Sequence, residues 1–214
     1  MKTLNDNKIE ITNTKKSPKR LSPEQRKQQL LLDAIPVFAN RGIGRAAHAD
    51  VAQKSGVSVA TAFNYFNTRE ELVDAVLDYV AAYYIDLAKS FHHKEEAVDN
   101  PARVLQDHAV AFIGCAHSEP DLVKIWLEWG ASVRDDCWPK YLRFQEEVLD
   151  IIEPTIANGL QNGHMQSQLT ARELAQILFG QAHPISLASF APNPPTQNMM
   201  RFVQLGMQAL LGIK

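Results

Sequence analysis

The chain has 214 residues, 45% of them hydrophobic, with two cysteines and a formal net charge of −2. A length of this order supports a core of roughly 130 to 150 residues beside a smaller unit, and two cysteines build no disulfide framework and fit a reducing compartment. No apolar run approaches the ~18 residues of a membrane helix, and Lys2 leads into polar residues rather than an apolar signal, so a soluble, cytoplasmic protein without a membrane partner is expected.

The small net charge hides a split. Residues 1–69 carry 12 Lys and Arg against 5 Asp and Glu, a net of +7, which leaves −9 for residues 70–214. A basic surface meets phosphate by releasing condensed counterions, so double-stranded DNA enters as a partner whose binding weakens steeply with salt. Residues 1–20, with Lys15, Lys16, Lys19 and Arg20 around Ser17 and Pro18, hold too little apolar surface to fold alone and read as a disordered basic arm. Such an arm can enter a minor groove; a tail that only aids solubility is the alternative.

Ser22-Pro23-Glu24-Gln25 is a capping box with proline at the first helical position, and Leu30, Leu31, Ala34, Ile35 and Phe38 continue a helical stripe to Gly42. Pro36 lies inside it, removes a backbone donor and predicts a kink near Leu32. The stretch Asp50 to Phe66 reads as helix, turn, helix: Ala52 is small where two helices cross, Gly56 suits positive φ, Val57 returns to the core, and Ser58 caps the second helix. On that helix Ala60, Phe63 and Asn64 share one face, while Ala62 and Phe66 point the other way. The Asn64 amide matches the N6/N7 edge of adenine, and Ala60 and Phe63 suit thymine methyls. Ser58, Thr61, Tyr65 and Arg69 suit phosphate oxygens. An ordinary helical hairpin with Phe63 and Phe66 buried is the competing reading.

Thr68 caps the next helix, with Glu70 and Glu71 in its first turn and Leu72, Val76, Tyr79, Val80 and Tyr83 as its stripe to about Phe91. Helical periods follow, broken at Asn100-Pro101, Glu119-Pro120, Trp138-Pro139, Asn162-Gly163 and between Pro192 and Pro195, with no strand alternation. Late in the chain, Leu174, Ile177, Leu178 and Gln181 form one stripe, and Phe202, Val203, Gly206, Met207 and Leu210 another. The pair offers either a four-helix dimer bundle or packing within one subunit, and periodicity does not separate the two.

Catalysis finds no support. Gly42-Ile43-Gly44-Arg45-Ala46-Ala47 fits a dinucleotide fingerprint, yet a helix precedes it and position 62 is alanine rather than an acid. His92, His93, His108, Cys115 and His117 lack metal-ligand spacing, and no nucleophile sits in a catalytic motif, so no enzyme, metal or cofactor is expected.

The capped first helix, the stretch from His48 to Phe66 and the following Asn67-Thr68-Arg69-Glu70-Glu71-Leu72 resemble the TetR family of transcriptional regulators. Its signature V-S-x-x-T-[LIV]-Y-x-H-F, with a basic residue three positions on, meets Val57, Ser58, Thr61, Ala62, Phe63, Tyr65, Phe66 and Arg69 here. Phe63 departs from the usual phosphate-contacting tyrosine. With Asn64-Tyr65-Phe66 it is similar to the quorum-sensing master regulators of vibrios, the LuxR/HapR/SmcR group, as are Arg41-Gly42-Ile43-Gly44-Arg45, Lys124-Ile125-Trp126-Leu127-Glu128-Trp129 and Ser132-Val133-Arg134-Asp135. Pro18 stands where that group tends to have a basic residue, which makes Arg20 the minor-groove candidate.

The resemblance implies an all-α fold in three parts: the arm at 1–20, a helix-turn-helix DNA-binding domain at 21–69, and a helical regulatory and dimerisation domain at 70–214. It implies a homodimer on a roughly palindromic site, with recognition helices about 34 to 36 Å apart. It also implies a small apolar effector in a core cavity lined by Tyr84, Leu87, Trp126, Trp129 and Gln145, although large aromatics at helical spacing are also ordinary core. A helical small-molecule binding protein without specific DNA recognition is the alternative.

Overall fold

The computed structural model describes residues 21–194 and 196–212, and every regular element among them is an α-helix. The basic arm, including Arg20, lies outside the described residues.

The first helix, α1 (Pro23–Arg41), starts on the expected capping box: Gln25 N–H donates to Ser22 Oγ at 3.2 Å and Ser22 N–H donates to Gln25 Oε1 at 3.0 Å. It continues through Pro36, whose missing donor falls opposite the carbonyl of Leu32, a residue 44% exposed, where water can take that acceptor. Next come α2 (His48–Ser55) and α3 (Val59–Tyr65). Asp50 Oδ2 accepts the Ala47 N–H at 3.0 Å and so satisfies one free donor at the start of α2. Gly56 adopts φ 66° and ψ 31°, and Val57 N–H closes on Ala52 O at 3.0 Å, a Schellman-type stop that turns the chain into α3. Ser58 Oγ then accepts the Thr61 N–H at 3.0 Å.

Thr68 caps α4 (Arg69–His92) by accepting the Glu71 N–H at 3.1 Å. Leu72, Val76, Leu77, Val80, Tyr84 and Ala88 are buried along this 24-residue helix, which begins beside α1 and ends deep in the second unit. A short α5 (Glu96–Asp99) precedes α6 (Pro101–Ser118), α7 (Pro120–Ala131), α8 (Trp138–Gln161), α9 (Ala171–Ser189) and α10 (Thr196–Leu211). Proline opens α6 and α7 at the position where its missing N–H is lost anyway. Helix α8 packs on α4, α6 and α9, α10 lies on α6 and α9, and α7 carries α1.

One buried apolar cluster runs without interruption from Leu30 to Leu211. Its largest fully buried side chains are Trp126 and Trp129 of α7, and burial of this kind, roughly 25 cal/mol per Å² of apolar surface, is the main term holding α7 against α8. Lys140 reaches Asp74 at 3.0 Å and Asp78 at 2.8 Å, pinning α8 to α4, and Arg172 pairs with Glu146, Asp150 and Glu153 across α8 and α9. These pairs lie at the surface and contribute little individually.

Candidate nucleic-acid interface and core cavity

Helix α3 is anchored from below by Ala62, 2% exposed, and by Phe66 at its end, 1% exposed. That anchoring turns Ala60, Phe63 and Asn64 outward, and all three are exposed. The Asn64 amide makes no hydrogen bond among the described residues. Phe63 is not buried, as the hairpin reading would have it, but stacks one face on His48 with ring centroids 3.9 Å apart and planes 6° from parallel. His48 is buried and its Nε2 lies 2.6 Å from Phe66 O. A carbonyl only accepts, so Nε2 carries the proton and the tautomer is fixed. Ser58 and Thr61 bond through their hydroxyls at 2.8 Å on the same end, and Tyr65 is half-buried.

Arg69 sits differently from its sequence-based role. Rather than reaching free into solvent for phosphate, it is half-buried and spends its guanidinium on backbone carbonyls, donating from Nε to Ala46 O at 3.0 Å and from Nη2 to Ile43 O. Ile43 N–H in turn donates to Glu128 Oε1 of α7 at 2.9 Å. Gly42, at φ 89°, fits under that carboxylate, and a Cβ there would lie 2.9 Å from Glu128 Oε1. The loop between α1 and α2 is therefore held from the start of α4 and from α7 together. Arg41 pairs with Asp50 at 3.0 Å, whereas Arg45 and Lys54 are exposed and form no ion pair among the described residues. Local patterning did not single out His48, Glu128, Arg45 or Lys54; the two exposed cations are findable only once the paired ones are known.

The second candidate site is a cavity of about 100 Å³ lined by α4, α6, α7, α8, α9 and α10. Tyr84 and Trp126 line it as expected; Leu87, Trp129 and Gln145 do not. Trp129 turns instead to Tyr141 and Phe144, with its Nε1–H donating to Cys137 O at 3.0 Å. Gln145 sits beside Phe144 but is turned away from the cavity by its helical phase, Leu87 lies one turn beyond Tyr84 and outside the lining, and the wall's polar groups come from Tyr84, His108 and Gln181. His108 Nδ1 lies 3.0 Å from His92 Nε2, and His92 Nδ1 lies 2.9 Å from Thr155 Oγ1. Burial lowers His108 to about 4, and burial with His108 and His93 nearby lowers His92 to about 3, so both rings are neutral at pH 7. The Tyr84 hydroxyl is buried and has no hydrogen-bond partner.

The two late stripes are largely consumed inside the subunit. Leu174, Val203 and Met207 are buried, and Leu178, Gln181, Val203 and Met207 face the cavity, because α9 packs its inner side on α6 and α8, and α10 packs on α6 and α9. Gly206 and Leu210 are half-buried, while Ile177 and Phe202 stay exposed. The 100° step per residue groups Ile177 with exposed Gly180, Pro184 and Leu187 on α9, and Phe202 with exposed Leu205 and Ala209 on α10. This outer apolar face shares only Ile177 and Phe202 with the stripes read from sequence.

Residues Gly42 to Ala47 form a loop between helices, not a strand-to-helix turn, and among the described residues no group of three or more His, Cys, Asp or Glu could hold a metal ion. No helix among them is long and apolar enough to cross a membrane.

Comparison with known proteins meets this geometry. Residues 30–76 match the profile of bacterial regulatory proteins of the tetR family. The HTH-type transcriptional regulator LuxR of Vibrio harveyi is 37% identical over 167 residues, covering 78% of this chain and 80% of that protein. A TetR-family transcriptional regulator from Agrobacterium tumefaciens superposes with a TM-score of 0.77 at 14% identity, covering 89% of this chain and 100% of that one. FadR from Bacillus subtilis, solved in complex with stearoyl-CoA, gives a TM-score of 0.66 at 19% identity, covering 87% and 99%. The chain belongs to the TetR family and is a DNA-binding transcriptional regulator.

Proposed function

We propose that the protein reads an imperfect palindrome as a homodimer, with α3 in the major groove of each half-site, and that occupancy of the core cavity by a small apolar effector modulates this binding. The observation that carries the reading is the exposed Ala60, Phe63 and Asn64 face, anchored by buried Ala62 and Phe66 and backed by the His48 stack. Asn64 reads a base, the free side of Phe63 meets apolar base edges, and Ser58, Thr61 and Tyr65 position the helix on phosphates. Arg45 and Lys54 add phosphate contacts, Arg69 acts chiefly by holding the α1–α2 loop, and Arg20 reaches a minor groove.

Dimerisation uses the outer face of α9 and α10, where Leu187 and Phe202 are each 60% exposed. Large exposed apolar side chains on one face mark a surface built to be covered. The resemblance to the vibrio master regulators supports a role in quorum sensing, in the cytoplasm. The cavity reading draws support from the stearoyl-CoA bound by FadR, a neighbour in fold.

Selection of purified protein against a pool of random duplexes tests the central claim. An imperfect palindrome is enriched and binding falls steeply with salt; no enrichment at low salt removes sequence-specific recognition and leaves a helical ligand-binding protein.

A further inference from the structure

The cavity wall holds no Lys, Arg, Asp or Glu, and its histidine is neutral at pH 7. A charged ligand would lose its hydration there and gain no counterion. Yet the wall is not wholly apolar. Tyr84 is 4% exposed, lines the cavity, and its hydroxyl makes no hydrogen bond to another protein group. On α6 the Tyr84 ring meets Phe112, with 5.5 Å between ring centroids, and His108 lies one turn before Phe112 along the same wall.

The His92–His108 pair gives this region an adaptable second group. If Thr155 donates to His92 Nδ1, His92 Nε2–H donates to His108 Nδ1 and His108 Nε2–H is left to donate; the reversed chain leaves His108 Nε2 an acceptor. Neither arrangement needs a net charge.

We propose that the cavity binds a compact, uncharged apolar molecule with one oxygen acceptor, a carbonyl or hydroxyl, which takes the hydrogen bond that Tyr84 offers. The inference rests on the reading of the cavity as an effector site and names the chemistry of the occupant. A volume of about 100 Å³ is smaller than the roughly 150 Å³ void that takes benzene, so one six-membered ring with a short substituent is the upper limit of the occupant and needs the wall to give slightly.

Calorimetric titration of the full chain with benzyl alcohol, toluene and benzoate tests it, since the three share a ring and differ in polar group. Benzyl alcohol is expected to bind about tenfold more tightly than either of the others. Tyr84→Phe should erase the preference for benzyl alcohol over toluene, leave toluene binding unchanged, and raise the melting temperature of the ligand-free protein. Benzoate binding as tightly as the alcohol, or a preference that survives Tyr84→Phe, overturns the proposal and leaves the cavity a ligand site of other chemistry. Binding of none of the three, to the limit of solubility, overturns the effector reading and the proposal with it.

Discussion

The α3 face and the core cavity each present a polar group with no partner, and they differ in what that costs. The Asn64 amide stands in water, which satisfies it at no penalty until a base edge replaces the water. The Tyr84 hydroxyl is shut inside the core, where an unmet hydroxyl costs about 1 to 3 kcal/mol. One site waits without strain and is read by exchange of water. The other is a buried hydroxyl that makes no bond to protein, so under the proposed function stability and binding are coupled in the cavity and separate on α3.

Four changes break or sharpen that contrast. Arg69→Ala is expected to destabilise the fold by about 2 to 4 kcal/mol, since it removes two charge-assisted bonds and frees the Ile43 and Ala46 carbonyls. It should also weaken binding to all DNA sequences alike; urea unfolding unchanged from the parent protein would return Arg69 to a pure phosphate contact.

Acid probes the histidines. Their ordinary value is 6.5, while the folded protein holds His92 near 3 and His108 near 4, so below about 6.5 the unfolded chain takes up protons that the native state refuses. Stability is therefore fully present well above pH 6.5 and falls as the pH drops toward the folded values, by about 2 kcal/mol per histidine at pH 5, or roughly 4 kcal/mol for the pair. Urea midpoints at pH 7 and pH 5 measure this, and His108→Leu should flatten the difference. Equal midpoints in the parent protein would mean that the pair accepts a proton without unfolding.

Asn64→Ala is expected to cost about 1 to 3 kcal/mol on the preferred duplex and relax selection at one base position per half-site. Its stability should change by less than about 0.5 kcal/mol, as for an exposed surface site. Competition binding with single-base variants of the selected site decides this, and equal losses on selected and random DNA would remove Asn64 as a base reader. Tyr84→Phe carries the smallest effect, a gain of about 1 kcal/mol in the empty protein, and a loss in melting temperature instead would show that the hydroxyl is already satisfied.

Much of the head was legible because its signals are local. The Ser22 box, the Gly56 stop, the Ser58 cap and the Thr68 cap each involve residues within a few positions of one another, and each forms as its spacing implies. The face of α3 follows from a short run in which alternatives to burying Ala62 and Phe66 are few. Partners far apart in sequence were invisible: His48 to Phe66 across 18 positions, Arg69 to Ile43 across 26, Glu128 to Ile43 across 85.

The cavity suffers from a further ambiguity. Helical phase places a residue on a face to within about one position, and Gln145 lies next to Phe144, which does line the cavity. Trp129 and Leu87 lie one turn beyond Trp126 and Tyr84 and look elsewhere. The short α5 carries no pattern long enough to read, and Pro154 and Pro184 sit inside α8 and α9, where proline would ordinarily predict a break. Packing against neighbouring helices outweighs that local preference.

Ile43 shows what such long-range pairing does to motion. Its N–H is held by a carboxylate from α7, its carbonyl by a guanidinium from α4, and its side chain is 5% exposed. A residue has only two soft dihedrals, and grips on both flanking peptides fix both of them. The link between α1 and α2 is thus a bracket rather than a hinge, and a displacement of α7 is passed to the recognition unit whole instead of being absorbed in the loop.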